Sequence, residues 1–250
     1  MRIHKAGHEI RSVDDWFRWA PPKRGAFHWK DYRSAKELAR SWFRTGTALP
    51  PVELVSLLIP TFGSELVFEE AMPECSVDLD DFEGEGRNCD LVVVCQAGVQ
   101  RIVLSVEAKA DEPFGNSTVG DYYDQTLDSD SRVPKRIEQL SNALFGREPD
   151  EVIRRLRYQL VHAAAASLIE ADARDAECGV LLVHEFISVG LSNLKLEQNA
   201  KDWAAFVKAL PQLAEATVQT NQICGPQWVP GGGRVPATIP LYLGKLVTRL

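Results

Sequence analysis

Two apolar runs separated by one short turn constrain this chain most: Leu91-Val92-Val93-Val94 and Ile102-Val103-Leu104-Ser105-Val106, joined through Gln96-Ala97-Gly98-Val99-Gln100. Both runs read as strands, and the turn makes them an antiparallel hairpin. Val92 and Val94 fall on one face, and Leu91, Val93 and Cys95 on the other. Both faces are apolar, so these are central strands of a sheet. The mouth of the hairpin is charged, with Asp90 at one end and Glu107-Ala108-Lys109 at the other. A loop of two or four residues centred on Gly98-Val99 puts Asp90 directly opposite Glu107, whereas a three-residue loop shifts the pairing by one and spoils it. Opposed residues and residues two apart on one strand share a face. Asp90, Glu107 and Lys109 are therefore expected to meet. Two carboxylates and an ammonium make poor core packing, but they suit a divalent cation with a positive charge beside it.

The rest of the composition narrows the setting. At 250 residues, 45% hydrophobic and 25% charged, the chain fits a single soluble domain spanning 1–250. No apolar run is long enough to cross a bilayer, and the start at Met1-Arg2-Ile3-His4-Lys5 lacks a signal-peptide core. Five cysteines without a CxxC pair argue for free thiols in a reducing cytoplasm and against a zinc site. A net charge of −7 disfavours a general nucleic-acid binder. A local basic strip suffices for a metal-dependent nuclease, and Arg132-Val133-Pro134-Lys135-Arg136 and Arg154-Arg155-Leu156-Arg157 are the candidates; solvated helix faces explain both equally well. Motifs for serine hydrolases, zincins and P-loop enzymes are absent.

Along the chain, residues 1–30 read as an irregular arm rich in Trp and Pro. Ser34 as N-cap and Glu37 three residues on open a helix to about Arg44. Pro50 and Pro51 open a second helix, closed by Pro60 and Gly63. Residues 65–71 and 75–79 read as a strand pair or one bent strand broken at Pro73. The stretch from Asp80 to Asn88, with Glu83 and Glu85, reads as a solvated acidic connection. Residues 111–132 lack periodicity and are expected to form a lid or substrate-contacting loop. Helices are expected at 134–145, 150–173 and 200–215, strands at 180–184 and 240–243. Gly231-Gly232-Gly233 reads as a flexible loop. The pattern predicts an α/β fold with a mixed central sheet flanked by helices, divided into the arm (1–30), a core (31–190) and a C-terminal helix and strand extension (191–250).

The D…ExK pattern and the element order resemble the PD-(D/E)XK, or restriction-endonuclease-like, superfamily. Its αβββαβ core carries the Asp on its second strand and the ExK on its third, matching Asp90 and Glu107-Ala108-Lys109. A narrower likeness to a bacterial family of uncharacterised proteins rests on Ser34-Ala35-Lys36-Glu37-Leu38-Ala39-Arg40-Ser41-Trp42, Val106-Glu107-Ala108-Lys109-Ala110-Asp111-Glu112-Pro113-Phe114-Gly115 and Arg157-Tyr158-Gln159-Leu160-Val161-His162. The superfamily implies a Mg²⁺- or Mn²⁺-dependent nuclease, with DNA as the expected partner and a homodimer as a common assembly. It implies Gln159 as a further site residue on the following helix. It also implies an acidic residue on the first core helix, for which Glu37, Glu53 and Glu65 compete. Glu37 lies in the matching stretch, and its competing role is capping-box partner of Ser34.

In that chemistry Asp90, Glu107 and the Ala108 carbonyl are the metal ligands, and Lys109 orients or deprotonates water or stabilises the developing oxyanion. Lys109 has a bland alternative as a structural partner of Glu107. Arg154, Arg157, Lys135 and Arg136 are the candidate substrate contacts. His162 and His184 read as satisfied structural histidines. The competing function is a non-catalytic binding or complex-subunit protein that keeps the nuclease-like fold.

Overall fold

A computed structural model describes residues 1–82, 86–110, 112–127, 129–190, 192–216 and 219–250. The elements in chain order are β1 (Arg2–Lys5), β2 (His8–Glu9), α1 (Val13–Trp19), α2 (Ser34–Trp42), α3 (Val52–Phe62), β3 (Leu66–Val77), β4 (Arg87–Ala97), β5 (Gln100–Lys109), α4 (Val119–Thr126), α5 (Val133–Phe145), α6 (Glu151–Arg154), α7 (Tyr158–Asp172), β6 (Cys178–Ile187), α8 (Asn193–Ala209), β7 (Gln222–Gln227) and β8 (Leu241–Arg249). The strands form one mixed sheet in the order β2-β1-β3-β4-β5-β6-β8-β7. β3, β4 and β5 run antiparallel, while β5, β6 and β8 run parallel. The fold is thus α/β, a mixed sheet flanked by helices, as the sequence predicts.

Each face of the sheet carries its own apolar layer. Val92, Val94 and Val103 pack with Leu140 of α5, Leu160 and Ala164 of α7 and Phe206 of α8. Leu91, Val93 and Leu104 pack with Trp16 of α1, Leu38 and Trp42 of α2 and Leu58 of α3 on the other side. This two-sided burial is what the continuous apolar character of β4 and β5 requires. The hairpin turn is Gly98-Val99, with Ala97 paired to Gln100 and Gly98 at φ 59°. That is the short-loop register expected from the sequence, and its ladder runs out to Leu91 opposite Val106.

Several local expectations are corrected. The arm is structured: β1 adds to the sheet edge in parallel with β3, and Trp16 is buried. The N-cap of α2 is Arg33, with no side-chain cap bond, and Ser34 is already helical. Pro60 lies inside α3, which ends at Gly63 (φ 87°). β3 is one strand through Pro73, with a register shift between Phe68 and Glu70. Residues 111–132 contain α4, opened by a capping box between Thr118 and Asp121; the short helix was hidden because its apolar stripe is only Val119 and the two tyrosines. Within that stretch, Asp111 and Asp128 lie outside the described residues, as do Glu83 and Glu85 of the acidic connection. Asp80 of that connection is buried against Arg136 instead of solvated. The helix expected at 150–173 is broken, because Arg157 is extended at φ −66°, ψ 121°. The helix expected at 200–215 is α8, which begins at Asn193 and gives way to a 3₁₀ turn at Pro211–Leu213. β7 was not foreseen. Gly231-Gly232-Gly233 forms a packed turn, bonded to Val235 and Ala143.

Gly179 is the second residue of β6 and lies close against α7. A Cβ there would stand 2.8 Å from the Ser167 carbonyl oxygen. Gly179→Val is therefore expected to destabilise the protein by about 1–3 kcal/mol, measured as a shift of the urea midpoint without a change in slope.

Candidate active site

The carboxylates of Asp90 and Glu107 stand together because the hairpin register places them in one row. Leu91 pairs with Val106 at the end of the ladder, and the next residue, Asp90, turns its carboxylate to the Ala108 N–H and into the field of Glu107. Across the other edge of β4, Pro73 pairs with Leu91 and Cys75 with Cys89, so Glu74 occupies the position opposite Asp90. Three strands thus deliver three carboxylates to one line.

The hydrogen bonds fix their orientation. Asp90 Oδ2 accepts from the Ala108 N–H at 2.8 Å. Glu107 Oε1 accepts from Lys109 Nζ at 2.8 Å and from Gln159 Nε2, and Oε2 accepts from Arg87 Nη2. Glu107 and Lys109 are 2% and 5% exposed, so their ion pair is shielded from solvent. Lys109 also lies 5.7 Å from the centre of the buried Phe114 ring. In a strand the N–H and C=O of one residue point to the same edge. The Ala108 carbonyl therefore faces β4, on the side of Asp90.

Beside these groups lies a cleft of about 710 Å³, whose lining does not include Glu107, Ala108 or Lys109. Asp90, Arg87, Glu74, Gln159, His162 and Arg136 line it, and the segment before α2 contributes Lys23, His28 and Arg33. Burial, followed by the neighbouring charge of Glu107, pushes the Asp90 carboxyl up to about 7. Burial and the Asp90 charge push Glu74 up to about 8. Burial also works against ionisation of Glu107, but Lys109 and Arg87 more than offset it and hold its carboxyl low. Burial opposes the charge of Lys109 as well, yet Glu107 and Asp90 outweigh it and raise its pKa.

The Asp90 shift has a consequence for stability. Between its unfolded value near 3.8 and its folded value near 7, the folded state binds the extra proton, so ionisation weakens the fold as pH rises through that window. Asp90→Asn is expected to melt above wild type at pH 8 in a chelator, with the gap narrowing towards pH 4. Equal melting temperatures across that range would show that the carboxylate carries no such cost.

The sequence-derived site residues divide into two groups. Asp90, Glu107, Ala108, Lys109 and Gln159 come together, and Arg136 joins them on the cleft wall, held by Asp80. The others point elsewhere. Glu37 accepts from the Tyr32 N–H and from Arg40, both at 2.8 Å, in neither its capping nor its metal role. Arg154 is bound to Asp124 and Arg157 to Asp202, and Lys135 is exposed; none of the three lines the cleft. Glu53 pairs with Arg44. His184 is a structural histidine, bonded to Thr248 at 2.9 Å. His162 is not satisfied, since its Nδ1 is buried without a partner.

Sequence reasoning missed Arg87 and Glu74, and it weighed His162 as cleft-lining but preferred a satisfied helical histidine. Strict alternation from Leu91 would turn Arg87 to the opposite face. The alternation reverses at Asp90: Cys89 and Val77, the partner of Arg87, join the layer of Val92 and Val94, while Leu91 belongs to the other. Glu74, at φ 50°, marks the same twist on β3.

The donor set suits a hard divalent cation. Two carboxylates and one strand carbonyl satisfy magnesium, which retains several waters. Among the described residues no three His, Cys, Asp or Glu side chains are grouped closely enough to hold an ion alone, so an ion here would need the Ala108 carbonyl and solvent as well.

No curated protein and no solved structure is significantly similar to the chain. A family model described as Domain of unknown function (DUF6946) matches residues 9–250, and the chain belongs to that family.

Proposed function

We propose that this protein is a metal-dependent phosphodiester hydrolase acting on nucleic acid, DNA foremost, in cytoplasmic restriction, repair or defence. The reading is carried by one observation: Asp90, Glu107 and Lys109 meet on one face at the mouth of a central hairpin, beside a cleft edged with cations. The likeness of the D…ExK pattern to the PD-(D/E)XK superfamily supports it. Asp90, Glu107 and the Ala108 carbonyl would hold Mg²⁺ or Mn²⁺. That ion supplies charge neutralisation and an acidified water when bound.

The chain's own groups do the remainder. Lys109, locked by Glu107 and seated on Phe114, is a fixed positive charge that stabilises negative charge developing at phosphorus. Gln159 orients the Glu107 carboxylate through Nε2 and presents Oε1, a buried acceptor without a partner, to the water that attacks. Arg87 occupies Glu107 Oε2 and competes with any ion for that oxygen. Asp90 would have to be ionised to hold a cation, so cleavage is expected to rise with pH through about 7 and to level off above it. A pH profile of Mg²⁺-dependent cleavage tests this, and a flat profile from pH 6 to 8 contradicts it.

A second reading has its own support. Both oxygens of Glu107 are already engaged by Arg87, Lys109 and Gln159, as in a structural ion network of a non-catalytic binding protein. Calorimetry with Mg²⁺ and Mn²⁺ separates the two. The hydrolase reading expects binding that Glu107→Gln weakens; absence of binding favours the second.

A further inference from the structure

The cleft contains buried polar atoms that no protein group satisfies. Arg87 Nε, Gln159 Oε1 and His162 Nδ1 lack hydrogen-bond partners, and all three residues line the same space. Buried polar groups are ordinarily paired, so several orphans in one cavity mark a place that a ligand completes. Arg87 is the anchor. Its side chain is only 8% exposed, and Nη2 is committed to Glu107. Its Nε–H can only donate, and a guanidinium donor calls for an anionic acceptor.

His162 stands one turn beyond Gln159 on α7, edge-on to the Tyr158 ring at 4.8 Å. Burial and the charges of Arg87, Lys109 and Arg136 hold its imidazole neutral. No carboxylate is among the groups that act on it. A neutral imidazole still has one N–H to donate. A buried neutral donor surrounded by three cations is a poor site for a metal and a good one for an anion.

We infer that Arg87 and His162 form a phosphate-binding subsite beside the Asp90–Glu107 pair, receiving one phosphate group of a nucleic-acid chain, internal or terminal. Only the identity of the larger ligand rests on the hydrolase reading; the subsite binds phosphate without metal or turnover.

Inorganic phosphate titrated into protein carrying ¹⁵N-labelled histidine, in a chelator, tests it. The His162 signal is expected to move saturably with phosphate and not with chloride at equal ionic strength. Arg87→Gln and His162→Phe, the latter keeping an aromatic ring against Tyr158, are each expected to weaken phosphate binding by roughly tenfold, the scale of one charge-assisted hydrogen bond. Absence of a saturable shift in the wild type overturns the subsite, and so does unchanged affinity in both variants. Should either variant fail to fold, the wild-type titration still decides. Oligonucleotides with a 5′-phosphate or a 5′-hydroxyl then separate the sources: tighter binding of the first assigns a terminal phosphate, equal binding an internal one. Failure of metal-dependent cleavage leaves this titration unaffected, so the two proposals stand or fall separately.

Discussion

Asp90→Ala is expected to lower Mg²⁺-dependent cleavage of nucleic acid by at least about 10³-fold while the protein stays folded. A bound metal supplies several kcal/mol of transition-state stabilisation, and each 1.36 kcal/mol is about tenfold in rate. Asp90 lines the cleft and stands just beyond the Leu91–Val106 pair that ends the β4–β5 ladder. Its loss leaves the Ala108 N–H without its acceptor, a cost of about 1 kcal/mol. It also removes a carboxylate whose ionisation the buried site resists, so the net effect on stability is small. Cleavage assays paired with thermal melting measure both quantities. Cleavage at the wild-type rate by a folded Asp90→Ala protein excludes this site.

Glu185→Leu is expected to destabilise the protein by about 3–5 kcal/mol, the range for stranding one member of a buried ion pair. Glu185 on β6 and Lys245 on β8 meet at 2.8 Å with side chains 3% and 4% exposed. Asn199 of α8 donates to Glu185 at 3.1 Å and to the Glu112 carbonyl at 3.2 Å. The network therefore ties the segment leaving β5, just beyond Lys109, to the C-terminal part of the chain. Glu185→Leu combined with Lys245→Met is expected to recover most of the loss, because apolar replacement of both charges removes the stranded ammonium. Chemical denaturation of the single and double variants gives the coupling. A double variant no more stable than Glu185→Leu alone would show that packing, not charge, sets the effect.

What the sequence made legible follows from period and turn length. β4 and β5 were readable because both faces are apolar over a long run and only one turn separates them; their register, and with it the Asp90–Glu107 opposition, came from the Gly98-Val99 loop. The long helices α5 and α7 were readable from their stripes. The N-terminal strands escaped because β1 and β2 are too short to show alternation. β7 escaped because Gly225 and Pro226 interrupt it. Arg87 and Glu74 were missed for a different reason: the twist at Asp90 and Glu74 reverses the in–out pattern, and alternation carries no warning of such a reversal. The basic strips were left open between substrate contact and solvated helix face because charge runs do not reveal partners. Asp124 and Asp202 take up Arg154 and Arg157, while Arg136 reaches the cleft from the end of a strip.

The central claim is that Asp90 and Glu107 share one divalent ion, and diffraction from crystals soaked in Mn²⁺ tests it most directly. A single anomalous peak is expected within coordination distance of both carboxylates and of the Ala108 carbonyl, with Arg87 displaced from Glu107. Crystals that show no peak there, with the Arg87–Glu107 pair intact at saturating Mn²⁺, would contradict it.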